Sequence, residues 1–323
     1  MPVHHLQDRS SLITQFKLVR ARTESLAAPL SPEDQMLQSM PDCSPTRWHR
    51  AHTTWFFETF VLAPNGVAPH HPQWGAMFNS YYEAAGPRSV RARRGMLSRP
   101  SVAEVTEYRH VVDERVGALL QSSSEARYRE LVPLMELGMA HEEQHQELIL
   151  TDILHALSEN SLRPIYRSAT SVTGVAIAAP LQYFPYEGGI AKIGTSTHRD
   201  RFVFDNETPR HRVWLDPFEL SDRLVTVGEM KAFILDKGYS TPSLWLSDGI
   251  DWVRSNQVQA PLYATLEGDQ YSVYGLEGDR VASDDEPVTH LSFYEAEALA
   301  TYLAARLPCA GPSATPCGRS SRR

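Results

Sequence analysis

His141 and His145, in the segment His141-Glu142-Glu143-Gln144-His145, stand four residues apart, the spacing at which one helix face presents two side chains together. Two imidazoles placed this way close on one metal ion without distorting the backbone. Well upstream, Trp48-His49-Arg50-Ala51-His52 offers a third ring. His52 enters an apolar run (AHTTWFFETF), where an unpaired polar ring needs a partner. Three imidazoles occupy half an octahedron and leave positions open for substrate and oxygen. His49, three residues before His52, is an alternative ligand, a residue behind a ligand, or an exposed ring. The plain alternative for the whole set is a solvated, Glu- and Gln-rich helix face.

The same segment satisfies His-Glu-x-x-His, in which the glutamate activates a zinc-bound water. Its longest form places Gly and His where this chain has Leu148 and Thr151, which leaves Glu159 as a candidate third ligand. A zinc peptidase is therefore the alternative chemistry, since imidazole suits iron and zinc alike. Tyr81 and Tyr82, in Asn79-Ser80-Tyr81-Tyr82-Glu83, are phenols able to donate a proton to a metal-centred reaction, or else one core ring and one surface ring. The run Arg88-Ser89-Val90-Arg91-Ala92-Arg93-Arg94-Gly95 is the one concentrated positive patch. Arg88 and Arg91 could fork onto a substrate carboxylate, against the alternative of a solvated turn. The polar turns at 205–211 and 287–290 read as structural.

The elements that must position these groups are helical through the first ~160 residues. Apolar spacing of three and four predicts helices over 11–26, 46–62, 101–120 and 128–157. Ser31-Pro32-Glu33-Asp34 and Ser101-x-x-Glu104 are helix-start signals, the second a capping-box pattern. Four long helices with polar connections imply an antiparallel bundle, an architecture that builds metal sites between facing helices. The stretch 159–180, with Pro164, Gly174 and Pro180, reads as a linker. Beyond it, segments 183–194, 210–220 and 271–275 are short and rich in aromatic and β-branched residues. With helical islands at 226–235 and 292–307 they imply a mixed α+β second domain.

At 323 residues the chain is long enough for two domains. Its net charge of -8 gives no basic field for nucleic acid or an anionic membrane. The first residues lack the pattern of a secretory signal, and no apolar run approaches the ~18 residues of a membrane span. Three cysteines, Cys43, Cys309 and Cys317, fit a reducing cytoplasm rather than a disulfide scaffold.

Taken together, these motifs resemble the iron-dependent sulfoxide synthases of ergothioneine biosynthesis, the hercynine oxygenases. W-H-x-A-H-T-T-W-F-F-E-T-F at 48–60, N-S-Y-Y at 79–82, R-G-x-L-S-R-P at 94–100 and H-E-x-Q-H-Q-E-L at 141–148 look like that family's DinB-like bundle. F-x-x-x-G-G-x-x-x-I-G at 184–194, D-N-E-T-P-x-H at 205–211, V-T at 225–226, W-L-S-D-G at 245–249 and P-V-x-H-x-S-x-x-E-A at 287–296 look like its second domain, which is formylglycine-generating-enzyme-like and of C-type-lectin type.

The resemblance implies a DinB-like metal-binding four-helix bundle over 1–158, a linker over 159–180 and a partial formylglycine-generating-enzyme-like domain over 181–308. It implies Fe(II) held by His52, His141 and His145, with open positions for a thiolate and for O2. The reaction would join the sulfur of cysteine or γ-glutamylcysteine to the imidazole of hercynine, giving a sulfoxide. By the same resemblance Tyr82, with Tyr81 beside it, would donate a proton, Gln144 would reach hercynine through water, and Arg88 and Arg91 would hold the thiol's carboxylate. In that family Ala-Arg-Leu-Pro continues with Thr-Glu-Ala-Glu-Trp-Glu, whereas here Cys309 begins a basic, apolar-poor stretch (CAGPSATPCGRSSRR). Residues 309–323 thus read as a disordered, aberrant tail after a truncated domain. A truncated pseudoenzyme or bare metal-binding module is the rival from another functional class.

Overall fold

A computed structural model describes residues 8–80, 89–168, 177–196 and 202–304. The chain forms two compact units, 1–167 with 198–203, and 168–197 with 204–323.

The first unit is helical because its apolar residues recur at helical spacing and its helix starts are capped. Helix α1 (Arg9–Ala27) begins at Asp8, whose carboxylate accepts from the Ser10 N–H. Helix α2 (Thr46–Phe56) follows Pro45, a residue whose fixed φ suits a helix entrance. It runs into one wide π turn, Phe57–Leu62, and the chain leaves through Gly66 at φ 78°, a left-handed conformation that glycine takes without strain. A short helix α3 (Trp74–Phe78) follows. Helix α4 (Val102–Ser122) opens on a full capping box, Ser101 with Glu104. Helix α5 (Glu125–Ser158) runs 34 residues, ~51 Å at helical rise, despite Pro133.

The four long helices expected from the sequence are therefore present. The other start signal yields less: Ser31 and Asp34 cap one another, but only a single 3-10 turn, Asp34–Met36, forms. The residues after it, Leu37 to Pro41, do not continue a helical apolar stripe. Helix α2 is the central element. Every one of its residues is buried, and it packs on both α4 and α5. Leu12, Phe16, Trp55, Val112, Leu131 and Met135 belong to the one core. Side chains of this kind contribute roughly 1.5–3 kcal/mol each on burial.

The second unit mixes short strands with helices, as its sequence implies. Strands β1 (Tyr183–Tyr186) and β4 (Phe218–Ser221) form one antiparallel pair, and β2 (Gly189–Ile193) and β3 (His211–Leu215) another. A meander of β5 (Ala264–Glu267), β6 (Gln270–Gly275) and β7 (Gly278–Val281) stands apart. Helices α6 (Val227–Leu235) and α8 (Phe293–Tyr302) each start in a capping box, Thr226 with Glu229 and Ser292 with Glu295. Helix α7 (Ser247–Asn256) is not anticipated by the sequence, because Gly249 and two aspartates mimic a turn there. The core of this unit gathers Val227, Met230, Phe233, Tyr271 and Leu299. At the turns 205–211 and 287–290, Glu207 accepts from the Phe204 N–H, and Thr226 bridges to Pro287. The tail at 309–323 lies outside the described residues.

Candidate metal centre

Helix α2 supplies His52, and one face of α5 supplies His141 and His145. One candidate ligand atom from each lies within 4.8 Å of the others. Imidazole nitrogens at ~2.1 Å from a common ion lie at most ~4.2 Å apart, so the rings need to close only slightly to share one. Ring centroids are 5.0 Å apart for His52 and His141, 4.8 Å for His52 and His145, and 4.6 Å for His141 and His145. His52 is held flat between Trp48 and Trp55, with interplanar angles of 13° and 14°. Phe56 stands against His141 at 5.0 Å. Aromatic rings therefore stand against His52 and His141.

Hydrogen bonds decide which nitrogens are free. His52 Nδ1 lies 2.5 Å from the Phe78 carbonyl, which can only accept, so Nδ1 carries the proton and Nε2 keeps its lone pair. His145 Nδ1 is engaged by His49 Nδ1 at 2.7 Å. Buried Nδ1 of His141 has no hydrogen-bond partner among the described residues. An unsatisfied buried polar atom costs about 1–3 kcal/mol, so it marks a place where something else belongs.

All three rings are neutral at physiological pH. Burial, then His141, pushes His52 well below the ordinary histidine value; burial, then His49, does the same to His145. Burial brings His141 down to about 4. Neutral imidazoles are the metal-binding form. The donor set and the orphaned nitrogen fit a borderline first-row divalent ion.

Glu142 is the residue that sequence reasoning placed ambiguously. Its side chain is 0 % exposed and points away from the rings. Its carboxylate accepts from Arg20 and Arg109 at 2.8 Å each and from the Thr23 hydroxyl at 2.6 Å. Burial alone would raise its pKa, but the two guanidiniums outweigh that and hold it at about 2. A carboxylate so stabilised is a poor base, which removes the water-activating role that a zinc peptidase requires. Glu159, the other part of that reading, caps the far end of α5, ~21 Å along the axis from His145.

The network around Glu142 ties α1, α2, α4 and α5 together. Arg20 also pairs with Asp113 at 2.7 Å and donates to Thr54; Arg109 also pairs with Glu24; Arg50 reaches Glu24 and Gln35. None of this was legible from spacing, though polar residues at core-facing positions of α1 and α4 were the available signal.

Other expected site residues are distributed differently. Gln144 is exposed on α5, between the two histidines. Arg91 is exposed, and its guanidinium donates to the Asp42 carbonyl. Tyr81, Tyr82 and Arg88 lie outside the described residues. Among the described arginines of the same basic run, Arg94 stacks on the Trp48 ring that flanks His52. It is buried, its guanidinium carbon 3.4 Å from the centre of the Trp48 ring, and it donates to Ser44 and Ser80 at 2.9 Å.

Comparison with known proteins agrees with both halves. A DinB superfamily profile matches residues 15–149, and a sulfatase-modifying factor enzyme 1-like domain profile matches 184–312. The hercynine oxygenase of Mycolicibacterium smegmatis is 30% identical over 309 residues, covering 93% of this chain and 67% of that protein. The hercynine oxygenase of Mycolicibacterium thermoresistibile is 28% identical over 309 residues, with 93% and 64% covered. A formylglycine-generating enzyme of Bos taurus is 27% identical over 150 residues, 43% of this chain. The chain spans about two thirds of the length of the two bacterial relatives.

Proposed function

The chain belongs to the hercynine oxygenase family, and from that membership we propose that it joins a cysteine-type thiol to hercynine oxidatively, in the manner of ergothioneine biosynthesis. The balance is one thiol, one imidazole C–H and one O2 giving one C–S sulfoxide and one water. His52, His141 and His145 would hold Fe(II). When bound, that ion supplies redox chemistry with O2 and a Lewis-acidic seat for the thiol sulfur.

The observation that carries this reading is the convergence of three neutral rings with a buried, unpartnered nitrogen among them. The protein's own residues do the rest. Trp48 and Trp55 clamp His52 in one plane, so its lone pair keeps a fixed direction. These aromatic rings limit water around the histidines, which strengthens local electrostatics. In this reading Arg88 and Arg91 hold the carboxylate of cysteine or γ-glutamylcysteine, Gln144 contacts hercynine through water, and Tyr82, with Tyr81 beside it, delivers a proton. Those five assignments rest on the family motifs in the sequence.

The test is direct. Protein loaded anaerobically with Fe(II) is mixed with hercynine and either thiol, then exposed to air and analysed by mass spectrometry. The expected product has the mass of both substrates, less two hydrogens, plus one oxygen. Iron uptake with no such product from either thiol would favour a metal-binding module instead.

A further inference from the structure

The proposed iron reading leaves one buried ionisable assembly unused. His49 lies on α2, three residues from His52, with its ring 5.0 Å from that of His145. It is 2 % exposed. One nitrogen, Nδ1, faces His145 Nδ1 at 2.7 Å; the other, Nε2, faces Asp152 Oδ2 at 3.0 Å. The same Asp152 oxygen accepts the Ser44 N–H at 2.8 Å. Asp152 is two helical turns beyond His145 on α5, so α5 supplies both ends of a chain whose middle member belongs to α2.

For a neutral His49 ring these contacts admit one consistent proton order. A carboxylate can only accept, so His49 Nε2 must carry a hydrogen and point it at Asp152. In a neutral imidazole the other nitrogen is then an acceptor. His49 Nδ1 therefore accepts, and His145 Nδ1 must be the donor. The lone pair of His145 is thereby confined to Nε2. An aspartate two turns away thus selects, through an intervening ring, which nitrogen of His145 is available.

We infer that His49 and Asp152 are a positioning pair, which fixes the tautomer and ring orientation of His145 for a divalent metal ion. The inference rests on the metal reading of the three rings and adds a residue pair to it. Groups behind a metal-bound histidine commonly set its orientation and basicity, and losing one typically weakens metal affinity 10–100-fold. His49 is not itself a fourth ligand here, because both of its nitrogens are already engaged.

Anaerobic titration of the full chain with Co(II), read by its visible d–d absorption, tests the idea without needing turnover. Melting curves of the metal-free forms report folding separately. His49→Ala should weaken Co(II) binding roughly 10–100-fold and alter the d–d bands. Asp152→Asn should weaken it less, and the double variant should be no weaker than His49→Ala alone, because Asp152 acts only through His49. His49→Asn places an amide oxygen near the position of Nδ1 and should recover part of the affinity. It also serves where the alanine variant fails to fold. Unchanged affinity and bands in both His49 variants would overturn the inference, as would an Asp152→Asn effect that persists undiminished beside His49→Ala. Wild-type protein that takes up no Co(II) would overturn the metal reading and this pair with it, whereas wild-type binding that both His49 variants leave untouched would overturn the pair alone.

Discussion

Glu142 adjoins His141 in sequence but faces the other way, and that single reversal separates two chemistries. Between two guanidiniums it holds the bundle together rather than activating water. Removing one member of a buried, paired charge cluster leaves the remaining charges uncompensated. Glu142→Gln is therefore expected to cost about 3–5 kcal/mol in chemical denaturation of the metal-free protein at pH 7. A loss under ~1 kcal/mol would contradict the network's role. The pH dependence has a definite sign. Glu142 has a folded pKa of about 2 against an ordinary 4.5, so between those values the unfolded chain binds more protons. Its contribution is full above pH 4.5 and fades as the pH falls toward 2, so the gap between wild type and variant should narrow across that window. At this scale the sequence was legible where partners are local. His141 and His145 follow from helical spacing, whereas Glu142's partners, Arg20 and Arg109, lie on other helices and leave no local trace. The choice among His49's open alternatives likewise waited on Asp152, 103 positions away.

The elements carry the site by close approach. Gly138 sits on α5 one turn before His141, and a Cβ there would come within 2.5 Å of the Phe57 ring and 2.9 Å of Phe56. Helix propensity favours alanine over glycine by ~1 kcal/mol, so propensity and packing disagree at this position. Packing should win. Gly138→Ala is expected to destabilise by about 1–3 kcal/mol and to loosen metal binding, because α5 must move away from α2. A stabilised variant with unchanged metal affinity would show that the contact is slack. The long helices were readable because their apolar periodicity persists over several turns and capping residues mark the ends. The π turn at Phe57–Leu62 was not, since it inserts no unusual residue type. In the second unit the short strands were only partly readable: β5 ends on Glu267, and β7 opens on Gly278, Asp279 and Arg280, residue types that read as turn or loop.

At the scale of the molecule, the first unit holds all three rings of the candidate centre together with the positioning pair and the Glu142 network. The second unit has a different surface character. On its β2–β3 pair, Ile190 opposes Trp214, and these are 67% and 64% exposed. Phe184 and Leu220, opposed on β1–β4, are also exposed. Exposed apolar cross-strand pairs of this kind bind hydrophobic dyes and promote self-association. Replacing Ile190 and Trp214 by lysine should lower dye binding and raise solubility without altering metal affinity. Dye binding that is unaffected would show that this face is covered in solution.

The central claim is that rings on two helices share one ion. Crystals of the protein soaked anaerobically with Fe(II), and measured on both sides of the iron absorption edge, give the most direct answer. One anomalous peak per chain is expected, within bonding distance of a nitrogen from each of His52, His141 and His145. No peak among these rings, or one that leaves out His52, would contradict the claim.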